Sequence, residues 1–223
     1  MKPWELLGEA CTPDGSQMRL TTRDGEYVIL IDGKTLMSSR LHGSEEALAT
    51  AACQHVSERK RPRVLVGGLG MGFTLRATLN LLPANAIVEV AEIMPAVVDW
   101  NHGALAPLAG FPLKDPRVEI LLQDVGLTLR ERADRFDAVL LDVDNGPAAF
   151  TSDENQELYD NDGVAAAHTA LKSGGALAVW SAAEDRSFER RLRSHGFTAS
   201  AQRVRAQPNK GGARHTIFLG VKP

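Results

Sequence analysis

Apolar positions along the chain follow two rhythms, and the change between them falls near Arg59. Residues 17–38 carry short β-type runs (QMRLTT, YVILI, TLMSS) separated by Asp24-Gly25 and Asp32-Gly33. Such dipeptides supply the positive φ of tight hairpin turns, so the spacing predicts an antiparallel meander. Ser44, followed by Glu45, Glu46 and an alanine-rich stretch, reads as an N-cap with acids in the first turn of a helix running to about Glu58. Beyond it, a short apolar run without polar alternation stands at 63–67, and further buried-strand candidates follow at 87–91, 118–122, 137–141 and 176–180. Continuous runs of this length mark strands buried on both faces. Helical spacing fills the intervals: Phe73, Leu75, Leu79 and Leu82 form one stripe, ended by Pro83. After a helix around 187–194, strands at 198–205 and 215–221 are joined by the polar, glycine-rich QPNKGGA.

An alternating strand–helix series specifies a parallel sheet covered by helices. The expected fold is therefore α/β. Residues 59–223 form a Rossmann-like, seven-stranded, mostly parallel sheet with a closing antiparallel hairpin; residues 1–58 form a small N-terminal β-meander and a linking helix. A chain of 223 residues, 43% hydrophobic and 24% charged, has the composition of a globular protein rather than a disordered or fibrous one. Cys11 and Cys53 lie in unrelated segments without metal-ligand spacing, so both are read as reduced thiols, and no metal is expected. The N-terminal segment has no apolar core of the signal-peptide kind, and no apolar run approaches the ~20 residues needed to span a bilayer. The expectation is a cytoplasmic protein without a membrane partner.

Net charge is −3, which gives no global reason to expect nucleic acid. The distribution is uneven: from Arg186 onward nine Lys or Arg face the single acid Glu189. That basic segment is either a footprint for an anionic partner or, as the simpler reading, a solvated face with contacts to a neighbouring acidic subunit.

The strongest local signal is VLVGGLGMGFTLRATL, a buried strand running through Gly67, Gly68, Gly70 and Gly72 into a helix. Glycines there let the backbone turn sharply and approach a ligand, while the helix N-terminus offers unpaired N–H groups. Taken alone the run fits nicotinamide dinucleotides as well. Glu92 stands at the carboxyl end of the next strand, where an acid can accept hydrogen bonds from both ribose hydroxyls of a nucleoside. Asp124 ends the following strand, and Asp142 with Asp144 ends the fourth. Ligands of open α/β sheets bind outside the carboxyl ends of the strands, so these acids converge on one crevice.

Here the residues resemble the spermidine synthase-like aminopropyltransferases. The resemblance runs from about Tyr27 to Ala182 through IDGKTLMSSRLHGSEEALA, RPRVLVGGLGMGFTLRATL, VEVAEIMPAVV, DPRVEILLQD, FDAVLLDVDNGPA and ALKSGGALAV. It implies a cofactor of the adenosyl sulfonium type, S-adenosylmethionine or its decarboxylated form, a small-molecule amine acceptor and a homodimer. Glu92 would hold the ribose, Asp124 with Val125 the adenine edge, and Gly68, Gly70 and Gly72 would lie beside the sulfonium tail. Asp142 and Asp144 would be the catalytic acids. A primary amine with a pKa near ~10 is protonated at neutral pH, so a carboxylate must take its proton or orient its lone pair before it attacks carbon next to sulfur. His42 is retained from the family pattern, as a substrate contact or as a structural hydrogen-bonding residue; Tyr159 would cover the acceptor pocket or simply pack.

Several positions depart from the family. Met71 replaces the aspartate that grips the aminopropyl tail, Leu41 replaces a tyrosine, Met94 an acid and Trp180 a glutamine. The loop after Asp142 is shorter and contains Asn145 and Gly146. The leading reading is an aminopropyl transferase with a divergent acceptor pocket, yielding methylthioadenosine. A methyltransferase yielding S-adenosylhomocysteine is the nearest rival, and a non-catalytic nucleoside-binding homologue the second.

Overall fold

The computed structural model describes residues 2–54, 56–143, 146–147, 157–206 and 214–223. The N-terminal strands β1 (Glu5–Cys11), β2 (Gln17–Arg23), β3 (Glu26–Ile31) and β4 (Lys34–Ser38) form an antiparallel sheet in chain order. Its two tightest turns are the expected ones: Asp24 and Gly25 have φ of 49° and 78°, Asp32 and Gly33 of 47° and 77°. Two successive positive φ values match the right-handed twist of the flanking strands. Strand β1 goes beyond the sequence expectation. Most of its residues are exposed, so no alternation announces it, and a Cβ at Gly8 would come within 2.4 Å of Trp100 Nε1.

Helix α1 (Gly43–Cys53) is shorter than expected. It ends at Cys53, where Val56 and Ser57 donate back to the Cys53 carbonyl at 3.0 and 2.8 Å and close a turn. Its N-cap is His42, and Ser44 sits inside the first turn instead of capping it.

The main sheet contains β5 (Arg63–Gly67), β6 (Ile87–Ala91), β7 (Val118–Leu121), β8 (Phe136–Leu141), β9 (Leu171–Ser181), β10 (Thr198–Arg205) and β11 (Arg214–Val221) in the order β10-β11-β9-β8-β5-β6-β7. Strands β5 to β9 are parallel; β11 runs antiparallel to β9 and pairs with β10, the closing hairpin. Helices α2 (Phe73–Leu81), α3 (Pro95–His102), α4 (Val125–Arg130), α5 (Asn161–Ala170) and α6 (Arg186–Ser194) cover its faces. One core joins Leu48, Leu75, Leu79 and Val98 to the small sheet through Leu20 and Ile29; the other gathers Leu129, Val164, Phe188 and Phe218. Every residue of β8 is buried, which is why its sequence shows no alternation.

Strand β5 lies between β6 and β8, so the strand order reverses at its carboxyl end, where ligands of such sheets bind. The opposite end is neutralised. Buried Asp137 accepts from Arg59 Nη1 at 2.7 Å, Lys172 Nζ at 2.9 Å and the Arg63 backbone N–H at 2.7 Å. Buried Glu89 pairs with Arg63 and, at 2.7 Å, with Arg135.

Asp160 caps α5, accepting from the N–H groups of Asp162 and Gly163 at 2.8 and 2.9 Å. Asp160→Ala leaves both donors to water and is expected to cost about 1 kcal/mol, measured by urea denaturation; an unchanged midpoint would refute the capping role.

Candidate active site

The carboxyl ends of β5, β6 and β8 meet at the glycine turn. Gly68 has φ of 86°, and a Cβ there would lie 2.5 Å from the Asp142 carbonyl oxygen. Glycine is required on both counts: backbone conformation and close approach. Gly70 has φ of 51° and would press a Cβ against Met37 Cε of β4 at 2.8 Å. Asn101 Nδ2 holds the turn from below, donating to the Gly70 and Val97 carbonyls at 2.8 and 2.9 Å.

Above the turn lies a cavity of about 750 Å³. The small sheet roofs it with Met18, Ile29, Ile31 and Met37, and the strand ends of the main sheet floor it. Buried Glu92 accepts the Leu69 N–H on Oε2 at 2.9 Å and the Met94 N–H on Oε1 at 2.8 Å. Burial raises its pKa, and these backbone donors oppose the rise. Asp124 caps α4 by accepting from Leu127 N–H at 2.8 Å, while remaining exposed to the cavity. Val125 behind it is buried and packs on Gly67.

At the end of β8, Asp142 Oδ2 accepts from Thr74 Oγ1 at 2.5 Å. Desolvation raises the Asp142 pKa, with the threonine hydrogen bond opposing it. Glu45 enters the same cavity from α1, only 8% exposed. Its burial, then the charge of Asp142, push its pKa to about 7. Ser44 Oγ donates to Glu45 Oε2 at 2.8 Å and contacts His215 Nδ1 at 3.0 Å. The His215 ring lies edge-on to Trp180, with centroids 4.6 Å apart, and all four side chains line the cavity.

Of the residues singled out from sequence, Gly68, Gly70, Glu92, Asp124, Val125 and Asp142 therefore come together around one cavity. Gly72 does not line it; it is the N-cap of α2. His42 lies instead in a second, open groove, stacked on Phe73 at 4.5 Å and 3.2 Å from Glu46. Tyr159 is buried outside the cavity, its hydroxyl donating to the Val143 carbonyl at 3.2 Å and its ring edge-on to Phe188. Asp144 and Asn145 lie outside the described residues. Met71 is buried in the core and does not reach the cavity, whereas Leu41, Met94 and Trp180 do. Sequence reasoning missed Glu45, Ser44 and His215. The available signal was Glu45 on the buried stripe of α1 with Leu48, Ala49 and Ala52, at positions i, i+3, i+4 and i+7.

A main sheet of this order, with a four-stranded antiparallel sheet covering its carboxyl edge, is the spermidine synthase-like fold. A spermidine synthase solved in complex with the transition-state analogue AdoDATO superposes with a TM-score of 0.75 at 18% identity, covering 98% of this chain and 72% of that one. Spermidine synthase from Thermotoga maritima gives 0.76 at 18% identity, over 98% and 73% of the two chains. In sequence the chain is similar to polyamine aminopropyltransferases. That of Thermoanaerobacter sp. (strain X514) is 37% identical over 118 residues, 49% of this chain and 42% of the relative. That of Corynebacterium efficiens is 27% identical over 172 residues, 75% and 31% of the two. The matched region thus spans less than half the length of these curated relatives. No protein-family model matches the chain.

Proposed function

We propose that the cavity binds an adenosyl sulfonium donor, decarboxylated S-adenosylmethionine first, and that the protein transfers its aminopropyl group to a small amine. The observation that carries this reading is the charge of the cavity. Glu45, Glu92 and Asp142 converge on it, and among the described residues no Lys or Arg pairs with any of the three. Buried acids left without cations suit a positively charged donor and an ammonium acceptor, in contrast to the neutralised acids at the other end of the sheet.

Backbone N–H groups of the turn and of Met94 orient the Glu92 carboxylate toward the cavity, where it would accept the ribose hydroxyls. Bound there, the sulfonium would supply an electrophilic carbon. The protein's part is alignment: the glycine turn sets the donor against the main chain, and Asp142, held by Thr74, faces the incoming amine. Among the described residues, no group of three or more His, Cys, Asp or Glu side chains is arranged to hold a metal ion, and no helix is long and apolar enough to cross a membrane. A cytoplasmic homodimer completes the reading, tested by cell fractionation and light scattering.

Calorimetric titration with decarboxylated S-adenosylmethionine, S-adenosylmethionine and methylthioadenosine tests it. The decarboxylated donor is expected to bind at least tenfold more tightly than S-adenosylmethionine, and Glu92→Gln to weaken methylthioadenosine about 10–100-fold by losing charge-assisted hydrogen bonds. The reverse donor preference would favour a methyltransferase. That second reading draws on the sequence, where Met71 stands in place of the family's aspartate.

A further inference from the structure

Beyond the acids that nucleoside binding and a single base require, the cavity holds a further buried carboxyl, that of Glu45. Glu45 is buried on α1, and Ser44 gives its hydroxyl proton to Oε2. A serine hydroxyl has one proton, so the 3.0 Å contact to His215 Nδ1 is completed only when His215 donates. Burial lowers the His215 pKa and so favours the neutral ring, and the contact with Ser44 places the proton on Nδ1. The result is an oriented chain from β11 to α1, His215 to Ser44 to Glu45, and a direct bond from Gly43 N–H to the Ala206 carbonyl at 2.9 Å holds the start of α1 beside β10.

We propose that Glu45 is a second proton acceptor of the transfer reaction, sharing the acceptor amine's proton with Asp142, and that Ser44 and His215 are positioning residues for its carboxylate. The proposal rests on the transferase reading above. The acceptor enters as an ammonium; one N–H bond breaks and its proton passes to the Glu45–Asp142 pair, whose two carboxylates share it, leaving a neutral amine between them. The nitrogen lone pair then forms the new N–C bond while the C–S bond breaks and its electron pair stays on sulfur. The products are a thioether and a secondary ammonium, and the shared proton departs to water.

Two carboxyls sharing one desolvated space do not both ionise at neutral pH, so the pair titrates as a unit. Among the described residues, the other groups around Glu45 are these. Glu46 follows it on α1, and His215 comes from β11. Helix α2 contributes the hydroxyl of Thr74, its Arg76 being turned to the carbonyls of Ala109 and Gly110; β9 contributes Trp180; Arg203 of β10 is engaged by Glu184.

The test is the pH dependence of kcat with decarboxylated S-adenosylmethionine and α,ω-diamines as acceptors, alongside methylthioadenosine binding. In the wild type kcat should rise through an acidic limb near neutrality. Glu45→Gln should lower kcat about 10–100-fold at pH 7 and displace the limb, with methylthioadenosine affinity held within twofold. His215→Asn should displace the limb with a smaller loss. Wild-type kcat and limb in Glu45→Gln would overturn the proposal and leave the transferase reading standing. Should that variant not fold, Glu45→Asp decides, since a carboxyl withdrawn by one methylene must lose rate if it takes the proton. A wild type that transfers nothing from any sulfonium donor overturns both readings.

Discussion

Asp142→Asn is expected to slow transfer by roughly 10²–10⁴-fold without unfolding the protein, the range that a positioned general base contributes. Asparagine keeps the shape of the side chain and an oxygen that still accepts from Thr74 Oγ1, so the floor of the cavity is preserved. Only the basicity is removed. Donor affinity should stay near wild type, because the contacts proposed for the donor belong to Glu92 and Gly68 to Gly70 and not to Asp142. Stability should hold or rise, since a desolvated carboxyl leaves the interior. Single-turnover rates, titration of methylthioadenosine and a melting curve read the three expectations separately. Undiminished transfer in a variant that binds donor normally would remove Asp142 from the mechanism.

The second large effect concerns stability. Asp137→Ala should cost about 2–4 kcal/mol, because three donors converge on a carboxylate whose side chain is 3% exposed. The Arg63 N–H is the least replaceable of them, a backbone donor at the start of β5 with no ready access to water. Arg59 and Lys172 are partly exposed and recover some hydration, which holds the estimate below that for a fully buried pair. For a domain of this size, melting should fall by roughly 5–15 °C. Asp137→Asn, which keeps two acceptor lone pairs and loses the charge, should recover part of the loss. Equal melting of Asp137→Ala and wild type would show that the network contributes nothing net.

How far the sequence exposes this fold depends on how each element is buried. Strands β5 and β6 begin and end where the sequence places them, at Arg63–Gly67 and Ile87–Ala91, because both faces are covered and their interior positions are apolar apart from Glu89, which Arg63 and Arg135 neutralise. Strand β1 leaves no such trace: its residues face water on most sides, and Gly8 is there to admit Trp100. Helix α1 reads too long because the polar residues after Cys53 favour helix locally, while the backbone turns there to bring Arg59 to Asp137.

The strand-end acids were legible because a parallel sheet aligns the carboxyl ends of its strands, whatever the loops do. Glu45 and His215 were not. They arrive from a helix before the sheet and from its last, antiparallel strand, and only the strand order β11-β9-β8-β5 brings them to one place. His42 shows the converse, a motif residue that stacks on Phe73 in a separate groove.

The contact between Gly68 and the Asp142 carbonyl divides the cavity into parts with different freedom to change. No side chain fits at position 68 without displacing the main chain that carries Asp142, so the proposed donor seat and proposed base move together or not at all. The roof is constrained only in part. Ile29 is tied into the core and Met37 lies against Gly70, but Ile31 and Leu36 are more open and belong to a meander with its own hairpin turns, so they can be exchanged for side chains of other sizes while the floor stays in register. Under the transferase reading, new acceptor preferences are therefore to be sought at these positions of β3 and β4.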